Sequence, residues 1–323
     1  GEEYDARMEL GDWSVVGYDD SKWIWSKRTD IPMAELIGQP APNMRVLNTL
    51  KPKSISTLPD GRYIIDFGQN MAGWIQMKVR GNSGDTIRIK FAEKLNPDGT
   101  LYLANFRDAL SEDIYVCNGK ENGSTWRPTF ITHGFRYAMV TGYKNAKTDD
   151  FEAQVVSDDM TVSGNIKTSN TVLNNVYRNA YWGILSNYKG MPVDCPQRNE
   201  RQPWLGDRTM GAFGEAYIFN NERLYSKWMR DICETQRTDG VFSDVAPAFW
   251  NYYNDDVTWP SALPFICEMI YRQYGNKQPI IDSYPYIKKW MNHLLTEYME
   301  DYLITRDKYG DWCVPPEKLD MIH

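Results

Sequence analysis

The fold and the chemistry of this chain are decided by one stretch, Val193-Asp194-Cys195-Pro196-Gln197-Arg198-Asn199-Glu200-Arg201-Gln202-Pro203-Trp204-Leu205-Gly206-Asp207. It places three carboxylates, two arginines and a tryptophan among two prolines and a glycine. Because proline lacks the N–H that a helix or an inner strand needs, the stretch is predicted to be a shaped loop. Asp194, Glu200 and Asp207 are six and seven residues apart. In a loop, that spacing lets the three acids converge on one cavity.

A solvated turn is the alternative interpretation of the charged residues 198–201. However, these charges lie between a Cys-Pro pair and a Pro-Trp pair, which are poor material for a protein surface. This context favours a functional site.

The polar residues of the stretch resemble a family signature. Asp-Cys-Pro-Gln-Arg-Asn-Glu-Arg, followed by Trp204 and Gly206-Asp207, is similar to that of the bacterial α-L-rhamnosidases of glycoside hydrolase family 78. Gln202-Pro203 stands where Leu-Gly is commoner, and Leu205 where Thr is common. These departures bear on the exact substrate more than on the reaction class. The resemblance implies an inverting glycoside hydrolase that removes terminal α-L-rhamnose and needs no cofactor.

The length and composition limit the number of domains and the class of protein. A chain of 323 residues favours two domains over one. Hydrophobic residues make up 42%, enough for real cores, and no low-complexity tract suggests disorder. The net charge of −7 and the lack of a basic cluster argue against a nucleic-acid partner. No apolar run is long enough to span a membrane.

Aromatic residues make up 14% of the chain. Core packing accounts for most of them, and stacking against apolar sugar faces is the functional alternative. The five cysteines and three histidines are scattered, so neither a disulfide framework nor a metal site is predicted. The chain opens at Gly1 without methionine or signal peptide, and we interpret it as an excerpt or a processed product. Bacterial cytoplasm and periplasm or secretion both stay open, as does the oligomeric state.

The hydrophobic pattern divides the chain into three parts. Residues 1–29 read as an entry segment from a preceding β-domain. Residues 30–163 contain alternating runs separated by turn residues, which is typical of a β-sandwich. From residue 164 the periodicity becomes helical, with helices expected near 207–219, 221–236, 259–275 and 278–299, after a first one capped by Ser169 or Asn170.

Paired helices joined by long loops fit an α/α toroid. The fold class predicted is therefore an all-β sandwich followed by a partial (α/α)6 six-hairpin toroid, since the family's catalytic domain has six hairpins and about five helices are visible here. Phe67-Gly68-Gln69-Asn70 and His133-Gly134-Phe135-Arg136-Tyr137 resemble motifs of the family's sandwich and are interpreted as turns that hold the fold.

The resemblance assigns roles within the stretch. Glu200 matches the general acid, and Asp194, Arg198 and Asp207 are expected to bind sugar hydroxyls. A general acid must hold its proton near neutral pH. We therefore expect both arginines to point away from Glu200 and both aspartates to lie near it.

Further site residues are expected on the helical part of the chain. Trp204, four residues after Glu200, is a candidate for substrate binding. Trp259 and Trp312 match tryptophans that line the family's sugar pocket, where the methyl group of rhamnose needs an apolar wall. Ordinary core packing is the alternative for each. The segment 239–247 is expected at the pocket rim, and Asp244 is a further candidate for substrate binding. Ser261 stands where the family pattern has Asp.

The second catalytic carboxylate, the general base, is not assigned to any residue of this chain. In the family, the general base is a glutamate from a later hairpin, and no residue after Trp312 aligns with it. We therefore place the base outside this chain, which could then be inactive by itself. Two alternatives follow: a related six-hairpin hydrolase for another deoxy-sugar or a uronate, and a non-catalytic carbohydrate-binding fragment. In each case the partner is a glycan or glycoside, rhamnose-containing in the leading interpretation.

Overall fold

The computed structural model describes residues 1–30, 35–120, 123–254, 256–310 and 312. These divide into two compact units, residues 1–39 with 48–155, and residues 40–47 with 156 onward. Among the described residues, no helix has the length and apolarity that spanning a membrane requires.

The described residues of the β-rich part form eleven strands. They are β1 (Glu3–Asp5), β2 (Met44–Leu50), β3 (Ser54–Thr57), β4 (Tyr63–Lys78), β5 (Thr86–Ala92), β6 (Lys94–Leu95), β7 (Leu101–Tyr102), β8 (Glu112–Val116), β9 (Thr125–Trp126), β10 (His133–Thr141) and β11 (Phe151–Asp158). Nine of them form one curled sheet in the order β1-β8-β5-β10-β4-β11-β2, with β3 and β9 also paired to β4. Strands β6 and β7 form a separate pair.

Alternation explains why these residues form strands. In β5, Ile87, Ile89 and Phe91 are buried while the residues between them are more exposed. The same period of two recurs in β8 and in the second half of β4. One side of each strand therefore faces an apolar core, as the sequence pattern predicted.

The two motifs interpreted as turns are strands instead. Residues 67–70 lie inside β4, and residues 133–137 begin β10. Gly68 allows the irregularity in β4, because its φ of 76° lies in the left-handed region. Arg136 then donates two hydrogen bonds of 2.8 Å to Asp66 across the register shift. The motifs do hold the fold, but through a bulged strand pair.

The entry segment is partly integrated into this sheet. Strand β1 pairs in parallel with β8, and the Glu2 carboxylate accepts hydrogen bonds from the amides of Thr129 and Phe130. Trp13 and Trp23 contact each other at 6.2 Å between ring centroids, yet both are about half exposed. The boundaries predicted at 29/30 and 163/164 stay predictions.

The helical part contains five α-helices among the described residues. They are α1 (Thr171–Ser186), α2 (Leu205–Ala216), α3 (Glu222–Glu234), α4 (Ala262–Tyr274) and α5 (Gln278–Glu297), followed by a hairpin of β12 (Met299–Glu300) and β13 (Leu303–Ile304). Helix α4 packs against α2, α3 and α5. Their buried faces share one core that includes Leu205, Trp228, Ile266 and Trp290.

The helix ends agree with the sequence signals. The Asn170 side chain accepts hydrogen bonds from the amides of Val172 and Leu173 and so caps α1. Gly275 ends α4 with a φ of 69°. The apolar stripe of α1 is less buried than its pattern suggests, because Val172 and Val176 are more than half exposed.

Candidate active site

Residues 193–204 form a loop between α1 and α2, as the prolines predicted, but residues 205–207 of the same stretch belong to α2 and not to the loop. The Asp194 amide donates to the Gln202 carbonyl at 2.8 Å, and the Gln202 side chain donates to the Glu200 carbonyl at 3.1 Å. Cys195 and Arg201 have φ values of 51° and 52°, which non-glycine residues adopt infrequently. The loop therefore has a specific backbone shape rather than that of a solvated turn.

A second loop, the segment 239–247, is hydrogen-bonded to the end of the first loop. Trp204 forms a bridge with Val245, the Leu205 amide donates to the Asp244 carbonyl at 2.9 Å, and the Ala246 amide donates to the Pro203 carbonyl at 3.2 Å. Val245 and Ala246 are completely buried. The prediction that this segment lies at the pocket rim is therefore wrong. It instead connects the acidic loop to the helical core, because its apolar residues pack into that core.

Glu200 is held at both carboxylate oxygens. Trp204 Nε1 donates to Oε1 at 2.9 Å, and Arg198 lies 2.6 Å from Oε2. Arg201 instead donates through Nε to the Arg198 carbonyl at 3.1 Å. The expectation that both arginines avoid Glu200 is thus wrong for Arg198. Two residues of spacing in a tight loop bring the opposite charges of Arg198 and Glu200 together.

The two aspartates lie near Glu200, as expected. The Cys195 thiol donates to Asp194 Oδ2 at 2.8 Å, and burial raises the pKa of that thiol. Burial also raises the pKa of Asp207, and the negative charges of Asp194 and Glu200 add to the effect, whereas Arg208 opposes it. The negative charges of Asp194 and Glu200 therefore act on Asp207 within one site.

One group in the described part of the chain has the spacing of a metal-binding set. Ligand atoms of Asp194, Cys195 and Glu200 lie within 4.8 Å of one another. A cation there would have to displace the thiol proton and compete with Arg198. The absence of a metal and of a cofactor remains a prediction.

Trp204 is part of an aromatic cluster beside Glu200. Its ring stacks on Tyr252 with centroids 5.7 Å apart and meets Trp250 edge-on at 6.1 Å. Neither Trp250 nor Tyr252 was predicted as a site residue. Their signal was only the aromatic run within residues 249–253. Flat rings next to a carboxylate suit the apolar face of a sugar.

A second aromatic cluster consists of Trp259, Tyr309 and Trp312. Tyr309 lies 4.4 Å from Trp259 and 5.5 Å from Trp312, centroid to centroid. Trp259 is 9% exposed and Trp312 is 62% exposed. Trp259 precedes α4 rather than lying inside it. The buried Trp259 thus anchors a cluster whose outer member can meet a ligand.

Gly206 is needed at this cluster because a Cβ there would lie 2.5 Å from the Trp259 ring. We expect Gly206→Ala to destabilise the protein by about 1–3 kcal/mol, since overpacking forces the ring or α2 to move. Gly214, in the same helix, has open space around it. There, replacement by alanine should stabilise by roughly 0.5–1 kcal/mol. Thermal unfolding of both variants checks the pair. Equal effects would contradict the contact.

Asp244 lies below the surface. It is completely buried, and its Oδ2 accepts hydrogen bonds from Asn254 at 2.5 Å and from Tyr309 at 2.8 Å. Burial raises the pKa of Asp244, while those two hydrogen bonds lower it. Contact with a sugar stays a prediction for Asp244. Its observed partners make it a support for Tyr309.

A separate cavity of about 370 Å³ lies between α3 and α5. Met229, Cys233, Pro279 and Ser283 are among its lining residues. It shares none of these with the acidic loop or the aromatic clusters, so it is not part of the candidate site.

The helix pairs and the acidic loop between α1 and α2 define a glycosidase domain of the six-hairpin class. Residues 161–321 match the model of the bacterial α-L-rhamnosidase 6 hairpin glycosidase domain. Residues 56–157 match the concanavalin-like domain of the same enzymes, and residues 1–48 match their N-terminal domain. The chain belongs to the bacterial α-L-rhamnosidase family.

Solved structures agree with this family. The chain superposes on the α-L-rhamnosidase from Dictyoglumus thermophilum with a TM-score of 0.92 and 36% identity, covering 97% of this chain and 35% of that one. The Streptomyces avermitilis α-L-rhamnosidase complexed with L-rhamnose gives a TM-score of 0.92 and 34% identity, with coverage of 97% and 30%. A Formosa agariphila α-L-rhamnosidase is 32% identical, with coverage of 98% and 34%. The chain thus spans about a third of these relatives.

Proposed function

We propose that this protein hydrolyses terminal α-L-rhamnosidic bonds, with Glu200 as the general acid. The observation that carries the proposal is the environment of Glu200, which has Asp194 and Asp207 near it and accepts a hydrogen bond from the indole N–H of Trp204. The solved relative with bound L-rhamnose supports the substrate class, because its sequence aligns along almost the whole chain.

The mechanism is expected to be inverting. Such enzymes use one carboxylic acid to protonate the leaving oxygen, and a second carboxylate about 6.5–9.5 Å away activates a water on the opposite face. Glu200 takes the first role. We propose that the second carboxylate lies outside this chain, which spans about a third of its solved relatives. Asp194 and Asp207 are the acceptors for sugar hydroxyls.

Arg198 has to change partners during the reaction. Its guanidinium pairs with the Glu200 carboxylate at 2.6 Å, and a carboxylate in an ion pair does not donate a proton. A sugar hydroxyl that takes over the Arg198 hydrogen bond would release Glu200 to accept the catalytic proton. Binding of the substrate therefore prepares the acid.

The aromatic residues favour rhamnose over a uronate. The exposed indole of Trp312 and the stacked rings of Trp204 and Tyr252 provide apolar surface. This surface suits the methyl group of rhamnose, whereas the carboxylate of a uronate placed there would lose its hydration without gaining a partner. A non-catalytic sugar-binding role is the second candidate, because the same rings would bind a sugar without any second carboxylate.

The test is hydrolysis of a panel of aryl glycosides by two samples, this chain and the chain extended through the rest of its reading frame. Release from the α-L-rhamnoside by the extended form alone supports the proposal and places the base downstream. Activity in both samples would move the base into this chain. Release from another glycoside alone would favour the related hydrolase. Rhamnose binding without hydrolysis in either folded sample would favour the binding role.

A further inference from the structure

Two carboxyl groups converge on the turn that leads into α4. Asp307 accepts hydrogen bonds from the Val257 amide at 2.9 Å and from the Thr258 hydroxyl. Asp256 accepts from the amides of Thr258 at 3.1 Å and Trp259 at 2.9 Å. Three consecutive residues, 257–259, are therefore held by two acids that are far apart in sequence.

Asp307 begins a segment that we call the strap, residues 307–310 and 312. Within it, the Lys308 ammonium donates to Asn254 Oδ1 at 2.7 Å, and the Tyr309 hydroxyl donates to Asp244 at 2.8 Å. The strap carries two of the three rings in the Trp259 cluster. Asp307 thus attaches these rings to the end of α4 that carries Trp259.

The two carboxyl groups meet at one residue, because the Thr258 amide donates to Asp256 and the Thr258 hydroxyl donates to Asp307. Asp256 is 3% exposed, so water does not screen its charge. Two carboxylates that accept hydrogen bonds from the same residue in a buried site repel each other strongly when both are ionised, and such pairs retain one proton. Among the described residues, the charges of Asp244 and Asp256 act on each other or on Tyr309, and Lys308 acts on Asp244.

We propose that Asp256 and Asp307 are positioning residues, and that their one shared proton holds the strap against Trp259. When this proton leaves, the two like charges repel, the strap separates from the turn, and Tyr309 and Trp312 lose their places beside Trp259. The effect on sugar affinity rests on the proposed function, whereas the movement of the strap does not.

The pH range follows from the electrostatics of the pair. Burial and the hydrogen bond with Asp307 raise the pKa of Asp256 from 3.8 to about 8. Burial would also raise the pKa of Asp307, but hydrogen bonds with Asp256 and Thr258 outweigh it and hold that pKa low. A raised pKa means that the folded state prefers the protonated acid. The stabilisation by the Asp256 proton is thus complete below pH 3.8 and is lost as the pH rises through about 8.

The experiment is ¹⁹F NMR of the chain labelled with 5-fluorotryptophan, titrated from about pH 6 to about pH 10. The variants Trp259→Phe and Trp312→Phe assign the two resonances. We expect both resonances to shift together with one midpoint near the pKa of Asp256, while the fully buried Trp228 stays constant and reports an intact fold. Flat Trp259 and Trp312 resonances would overturn the proposal.

Three variants separate this pair from other alkaline titrations. Asp256→Asn keeps a neutral donor toward Asp307, and we expect the shared transition to vanish. Asp307→Asn removes the repulsion, and the transition should again vanish. Glu268→Gln changes an exposed carboxylate on α4 and should leave the transition unchanged. Persistence of the transition in both folded aspartate variants would contradict the proposal.

L-Rhamnose titrations at about pH 6.5 and about pH 9.5 connect the strap to the sugar site. If only the protonated pair is competent, the Kd should rise roughly thirtyfold between them, since that is the fall in the protonated fraction for a pKa near 8. If rhamnose binds equally at both pH values and the resonances stay flat, the strap proposal is wrong and the proposed function stands. If the strap transition occurs but rhamnose does not bind at either pH, the proposed function is wrong and the strap proposal stands.

Discussion

Glu200→Gln is expected to reduce hydrolysis of a rhamnoside with a poor leaving group by about 10²–10⁴-fold, in the form extended through the reading frame. The amide cannot donate a proton to the leaving oxygen. Its oxygen can still accept the Trp204 N–H bond, which is 2.9 Å long in the carboxylate form. The loop should therefore keep its shape, and L-rhamnose binding should stay within severalfold of the unmodified protein.

The leaving group distinguishes a lost proton donor from a damaged site. A nitrophenolate departs with little need of a proton, so the variant should lose far less rate on that substrate than on an alkyl rhamnoside. The ratio of kcat values for the two substrates is the measurement. Glu268→Gln, an exposed carboxylate on α4, is the matched control and should leave both rates unchanged. An equal loss on both substrates would contradict the assignment of Glu200.

The loop, the helices and most strands could be predicted because their signals are local. Pro196 and Pro203 lie in the loop part of the acidic stretch, and the cap at Asn170 and the end at Gly275 lie where the sequence placed them. Each of these depends on the backbone chemistry of one residue. The predicted helix bounds differ from the observed ones by only a few residues for the same reason.

The partners of the charged side chains could not be predicted in the same way. Whether Arg198 faces Glu200 depends on the backbone and side-chain torsions of the loop around them, which no composition rule fixes. Residues 67–70 looked like a turn because Gly68 suggests one, yet Asp66 and Arg136 hold them in a strand. Long-range contacts overrode the local signal in both cases.

The aromatic partners were missed for a related reason. Tyr309 lies three residues before Trp312 but contacts Trp259, fifty residues away. Its place depends on the hydrogen bond to the buried Asp244. Only the folded chain brings these residues together, which is why single residues of the clusters could be predicted but their arrangement could not.

A buried ion pair beneath the acidic loop gives the largest expected effect on stability. Arg208 donates to Glu215 Oε1 and to the Val193 carbonyl, both at 2.7 Å. Glu215 Oε2 accepts the hydroxyls of Tyr188 and Tyr225 at 2.5 Å each. Because Val193 directly precedes Asp194, this network holds the start of the loop.

Glu215→Gln is expected to lower the free energy of unfolding by about 3–5 kcal/mol, since it leaves the Arg208 charge buried without a counter-charge. Chemical denaturation with two-state analysis measures it. The exposed pair of Glu268 and Arg272 is the control, and Glu268→Gln should cost about 0.5 kcal/mol or less. Similar losses in the two variants would show that the Glu215 pair is not desolvated as the structure has it.

The double variant Arg208→Met with Glu215→Gln separates the unpaired charge from the lost hydrogen bonds. Removing the arginine together with the acid eliminates the buried charge, so the double variant should be more stable than Glu215→Gln alone. It should not reach the unmodified protein, because the Val193 carbonyl loses its donor. L-Rhamnose affinity should follow that second loss and remain weakened in the double variant. Full recovery of affinity would mean that the Arg208–Val193 bond does not hold Asp194 in place.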